Sequence, residues 1–172
     1  MLIGVISNHD SALDDKVLHG YIDDSKHPVA RMICAGGYLF EPAMARKFRD
    51  TWQAFAATKR PDDDGEGEFC FHANDAIRRD DAEEIFSKLV MVIKATALRG
   101  FVEFVKPETM RTLHEKIKGY VGSAYSMTTL GCMKLMADVA REQHKTVLYF
   151  IEDGNEFAGE LRCFLNQIKD NA

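Results

Sequence analysis

Apolar and polar positions alternate along this chain with two distinct periods, and the period changes mark out the elements. Val17 to Ile22 is apolar, closes on Asp23-Asp24-Ser25, and is broken by Lys26-His27-Pro28. Val29 to Phe40 resumes with strand-like composition around Gly36-Gly37. Two such runs about a polar break predict a hairpin, and Met1 to Ser7 is a candidate further edge strand. Ala97 to Val105 alternates at period two, and its apolar residues on both sides predict a strand buried on much of both faces. Val147-Leu148-Tyr149-Phe150-Ile151 is uninterrupted and apolar, the pattern of a central sheet strand.

Between these runs the period becomes helical. Glu41-Pro42 starts a helix with proline at the first position, and Ala45, Phe48, Trp52 and Phe55 recur along one face before Lys59-Arg60-Pro61 ends it. Asp62 to Glu68 is an acidic, glycine-containing loop. Asp80 with Glu83 has capping-box spacing ahead of Ala82, Ile85, Phe86, Leu89 and Ile93. Pro107 opens a helix with Met110, Leu113 and Ile117 that closes at Gly119. Tyr125 to His144 is a longer helix with Leu130, Met133, Met136 and Ala140 inward, and its Arg141 and His144 suit the negative end of the helix dipole. Asn155 can cap a final helix carrying Phe157, Leu161, Phe164, Leu165 and Ile168. The expected core therefore includes Trp52, Phe48, Ile85, Leu89, Leu148, Phe150, Leu161 and Phe164. The order of strands and helices predicts an α/β fold.

Length and composition bound this picture without changing it. The 172 residues, 46% of them hydrophobic, suit one domain with its own core. No apolar run reaches the roughly 18 residues of a membrane span, and the start lacks a secretion signal's basic and apolar regions, so no membrane partner and a cytoplasmic location are expected. The cysteines at 34, 70, 132 and 163 are scattered without a C-x-x-C pair, which points to reduced thiols rather than a zinc site. A net charge of −5 argues against tight non-specific binding to a polynucleotide backbone. It does not argue against a nuclease, because the acids that hold a metal also lower the net charge.

The candidate chemistry lies in the polar clusters that follow apolar runs. Asp23-Asp24 and Glu152-Asp153 each end one, and His72 with Asp75 follows Phe69-Cys70-Phe71. Functional groups in open α/β sheets gather beyond strand ends. Carboxylates converging there make a hard oxygen site for Mg²⁺ or Mn²⁺, suited to phosphodiester cleavage. The same residues have a plainer reading: Asp, Ser, Lys, His and Pro serve a turn, and Glu-Asp-Gly-Asn serves a loop and cap. His72 alone reads first as a hydrogen-bonded structural histidine. The chain has no P-loop, no dinucleotide fingerprint, no G-x-S-x-G elbow and no D-x-D-x-[TV] spacing.

Taken in order, the clusters resemble a known family. Tyr21-Ile22-Asp23-Asp24-Ser25 resembles the Y-x-D-E-S signature of the domain-of-unknown-function family 3800, and Ala35-Gly36-Gly37 resembles the glycine-rich end of its second strand. Phe71-His72-Ala73-Asn74-Asp75 is similar to its F-H-A-x-D segment, and Tyr149 to Asn155 to its apolar strand ending in F-E-x-G-[DN]. The resemblance spans Tyr21 to Asn155. It implies one RNase H-like domain over residues 1–172, a mixed sheet flanked by helices, with a metal-dependent nuclease site of the kind met in phage and mobile elements. Carried over, Asp23, Asp24 and Glu152 are the catalytic acids, and Asp23, Glu152 and Asp153 hold Mg²⁺ or Mn²⁺. Ser25, His72, Asp75 and Asn155 are supporting groups. Asp24 stands where the family has Glu, and the later Q-x-x-D-x-x-A helix implied by the family is not found before Ala172. The alternative is a non-catalytic RNase H-like module that binds a protein or a nucleic acid; expected partners of the chain are a nucleic acid, and a protein or a homo-oligomer. A small-molecule phosphoesterase using the same metal is a further alternative.

Overall fold

The computed structural model describes residues 15–27, 32–59, 71, 73–117, 123–151 and 159. In chain order the elements are β1 (Val17–His27), β2 (Met32–Phe40), α1 (Pro42–Ala56), α2 (Ala73–Ala76), α3 (Ala82–Thr96), β3 (Arg99–Val105), α4 (Pro107–Ile117), α5 (Ala124–Glu142) and β4 (Thr146–Ile151). The α/β class expected from the sequence is what forms. The chain divides into two compact units: Met1–Leu39 with Arg99–Ala172, and Phe40–Leu98.

Among the described residues, the first unit holds a four-stranded mixed sheet in the order β3-β2-β1-β4. β1 and β4 run parallel, from Val17 opposite Thr146 to Ile22 opposite Ile151. β2 and β3 run antiparallel, from Ile33 opposite Val105 to Leu39 opposite Arg99. β1 and β2 are neighbours with only residues 28–31 between them, too few for a parallel crossover, so they form the hairpin that the polar break predicts.

Helix α5 closes one face of this sheet. Ser123 caps it, its hydroxyl accepting a bond from the Ser126 amide at 3.2 Å. Its stripe of Cys132, Met136, Val139 and Ala140 buries against Leu18, Ile22, Ala35 and Leu39, with Phe101, Val147, Tyr149 and Ile151 around them. Contacts of this kind, summed over the stripe, are the main stabilising term of the unit. The Cys132 thiol donates to the Ala35 carbonyl at 3.2 Å, and the Tyr149 hydroxyl donates to the Met133 carbonyl at 2.7 Å. At its far end α5 stops in a left-handed residue, His144 at φ 55°. The amide of His144 bonds the Arg141 carbonyl at 3.0 Å, and that of Lys145 bonds the Ala140 carbonyl at 2.8 Å, closing the open carbonyls of the last turn.

The second unit packs α1 against α3. Ala76 and Ile85 are its buried centre, ringed by Trp52, Phe55, Phe71 and Phe86. Trp52 and Phe86 each meet Phe71 edge to face, at 5.4 and 5.8 Å between ring centres. Lys59 reaches both Asp81 at 3.2 Å and Glu84 at 2.6 Å.

Several expectations are corrected. β1 does not stop at Ile22 but continues through the polar residues to His27. β3 is not buried on both faces: Val102 and Phe104 are 61% and 62% exposed, since β3 lies at the end of the strand order and α5 covers only its other face. Among the described strands β4 stands at the opposite end of that order, with no described strand beyond it. Its continuous apolar run reflects α5 on one side and an aromatic cluster on the other. The Asp80 and Glu83 capping box does not form: the residue at the N-cap is Asp81, which makes no capping bond and turns its carboxylate to Arg79 and Lys59. Of the expected core, Ile85 is fully buried, while Phe48, Trp52, Leu89, Leu148 and Phe150 are half-buried. Leu161, Phe164 and the final helix lie outside the described residues, as do Met1 to Ser7.

Candidate functional site

The candidate site begins at the last described pair of the β1–β4 ladder, Ile22 with Ile151. In β1 the residues alternate, with Leu18 and Ile22 buried beneath α5 and Tyr21 and Asp23 exposed. Tyr21 lies flat on Phe150 of β4, with ring centres 4.6 Å apart and an interplanar angle of 11°, and His19 meets the same Phe150 edge-on at 5.4 Å. These stacked rings hold β1 and β4 together immediately before the acidic positions. Asp23 follows directly on the last described pair of that ladder.

Two glycines allow the close packing on which this end of the sheet depends. A Cβ at Gly37 would collide with the Tyr21 carbonyl and come within 2.8 Å of the Met136 methyl. A Cβ at Gly20 would come within 2.8 Å of the Met136 sulfur. So Gly37, noticed in the sequence only as part of a glycine-rich motif, is where β2 admits both β1 and α5.

Of the site residues expected from the sequence, Asp23 is described in full and is exposed on β1. Asp24 and Ser25 belong to the backbone of the same strand, with side chains outside the description. Asp75 is exposed on α2, in the second unit, whereas Asp23 belongs to the first. His72, Glu152, Asp153 and Asn155 lie outside the described residues. Among the described residues, no three His, Cys, Asp or Glu side chains form a group that could hold a metal.

Elsewhere in the first unit, Glu103 was not singled out by its sequence. It is half-buried on β3 and lies across α5 at Gly131, where an added Cβ would come within 2.9 Å of its Cγ. A glycine in the middle of a helix, at 131, is the signal that could have revealed a close neighbour. The Cys132 thiol next to it is pushed up by burial, which leaves it a packing group rather than a nucleophile. Among the described residues, no helix is long and apolar enough to cross a membrane. No family model matches the chain, and no curated protein or solved structure matches it either.

Proposed function

We propose that this chain is a divalent-metal-dependent nuclease on an RNase H-like framework. The observation that carries the reading is the parallel register of β1 and β4, whose last described pair is Ile22 with Ile151. The next residues in the sequence are Asp23 and Glu152. Were the same register to hold one step further, positions 23 and 152 would be side by side, on strands about 4.8 Å apart. Two carboxylates at that spacing suit one hard cation with oxygen ligands at about 2.0–2.6 Å. Asp23 and Glu152 would hold Mg²⁺ or Mn²⁺, with Asp153 as a further oxygen ligand and Asp24 as an adjoining acid. When bound, such an ion lowers the pKa of a water and neutralises charge on a phosphodiester. Asp23 is exposed on β1. The mixed sheet, with β1 beside a parallel β4, supports the RNase H-like assignment.

The rival reading, a non-catalytic binding module, draws support from the exposed apolar pair Val102 and Phe104 on β3. The two readings separate on the wild-type protein, Asp23→Asn and Glu152→Gln. Mn²⁺ binding is measured by calorimetry, and cleavage is followed on labelled single- and double-stranded DNA and RNA. The expected result is Mn²⁺-dependent cleavage by the wild type, with Mn²⁺ affinity falling about 100-fold or more in either variant, since even a supporting partner of a metal ligand is worth 10- to 100-fold. Folding should be unchanged, because removing one of two like charges relieves repulsion in the metal-free protein. Equal cleavage by all three proteins, or no Mn²⁺ binding by the wild type, would rule the metal site out.

A further inference from the structure

Strand β3 ends the strand order, hydrogen-bonded to β2 on one side and with no described strand on the other. An edge of this kind is usually protected by charged side chains, above all lysine, by proline or by a bulge, and β3 carries charges only at Arg99 and Glu103. The sequence Arg99-Gly100-Phe101-Val102-Glu103-Phe104-Val105 contains neither lysine nor proline, and its pairing with β2 runs without interruption from Leu39 with Arg99 to Ile33 with Val105. On one face Val102 and Phe104 are 61% and 62% exposed. On the other face the alternation sets Arg99, Phe101 and Glu103 in a row. Arg99 is exposed, Glu103 is half-buried against Gly131, and neither has an ion-pair partner among the described residues.

We infer that β3 is an interface for a second copy of this chain, which adds its own β3 antiparallel across a two-fold axis through Phe101. The register follows from charge. Read antiparallel to itself about Phe101, the strand sets Arg99 opposite Glu103 of the second copy, and by symmetry Glu103 opposite that copy's Arg99. Each unpaired charge gains a cross-strand partner, and the open backbone edge gains a ladder. Gly100 falls opposite Val102, so the exposed apolar residue meets no bulk across the axis. The sheet becomes continuous through two chains, as in strand addition at an exposed edge. The inference is independent of the metal site.

The test is the solution mass of the full chain by size-exclusion chromatography with light scattering over a range of concentrations. The wild type should dimerise as concentration rises. Arg99→Glu or Glu103→Arg alone sets like charges opposite each other twice, and should raise the dissociation constant about tenfold or more. The double reversal should restore the dimer. A wild type that is monomeric at every concentration overturns the proposal, as do single reversals that dimerise normally or a double reversal no better than either. Should Glu103→Arg fail to fold by circular dichroism, Arg99→Glu at its exposed position serves alone: it should raise the dissociation constant about tenfold or more, and an unchanged constant overturns the interface.

Discussion

Asp81 illustrates how one side chain can leave the role its position offers for a stronger one. It sits at the start of α3, where a carboxylate could cap amides. Instead, Arg79 Nε donates to its Oδ1 at 2.8 Å and Lys59 lies 3.2 Å from its Oδ2. The bond from Arg79, joined by Lys59, holds its carboxyl down at about 2 from an ordinary 3.8. A carboxyl whose folded pKa is the lower one stabilises the fold above its unfolded value, and that stability is lost as pH falls from about 4 to about 2. Asp81→Asn should therefore lower the melting temperature at neutral pH, with the gap from wild type closing as the pH is taken down to about 2. Thermal melts followed by circular dichroism across that range check this, and a gap independent of pH would refute it.

The helices show how local chemistry and packing divide the work. α5 starts on a serine cap and ends on His144, a β-carbon-bearing residue in the left-handed region where glycine is usual. The two bonds that close the last turn hold His144 there. His144→Gly keeps those bonds and removes the steric penalty, so it should stabilise the protein by about 1 kcal/mol. Urea denaturation of the two proteins measures it. A destabilised variant would mean that the histidine side chain makes contacts that outweigh the strain.

Each of the two compact units has its own buried centre. Leu18 is fully buried in the first, under α5, and Ile85 is fully buried in the second, among Trp52, Phe55, Phe71 and Phe86. Leu18→Ala and Ile85→Ala should each cost about 2–5 kcal/mol, from lost transfer energy and the cavity left behind. Native-state hydrogen exchange should localise the effects. Leu18→Ala should release amides of β1 and β4 first, and Ile85→Ala those of α1 and α3, because cooperative opening follows contiguous packed units. Loss of protection spread equally over both units by either variant would show that they open as one.

The sequence by itself determined most of the element list. Proline at the start of α1 and α4, the apolar stripes of α1, α3 and α5, and the alternation in β3 are local signals, read from spacing alone. It also singled out the acidic candidates at 23 and 152, since these follow apolar runs directly. Tertiary structure decided which strands are neighbours. An apolar pentapeptide such as Val147 to Ile151 reads alike at the centre or the end of a sheet, because burial on both faces can come from a helix and an aromatic stack as well as from two helices. It likewise decided that Val102 and Phe104 face outward, that Gly37 admits the Tyr21 backbone and Met136, and that Glu103 crosses Gly131. These contacts join residues far apart in the chain, and no local period encodes them. That Ile22 lies opposite Ile151 is likewise a matter of register, which only pairing between distant strands can set.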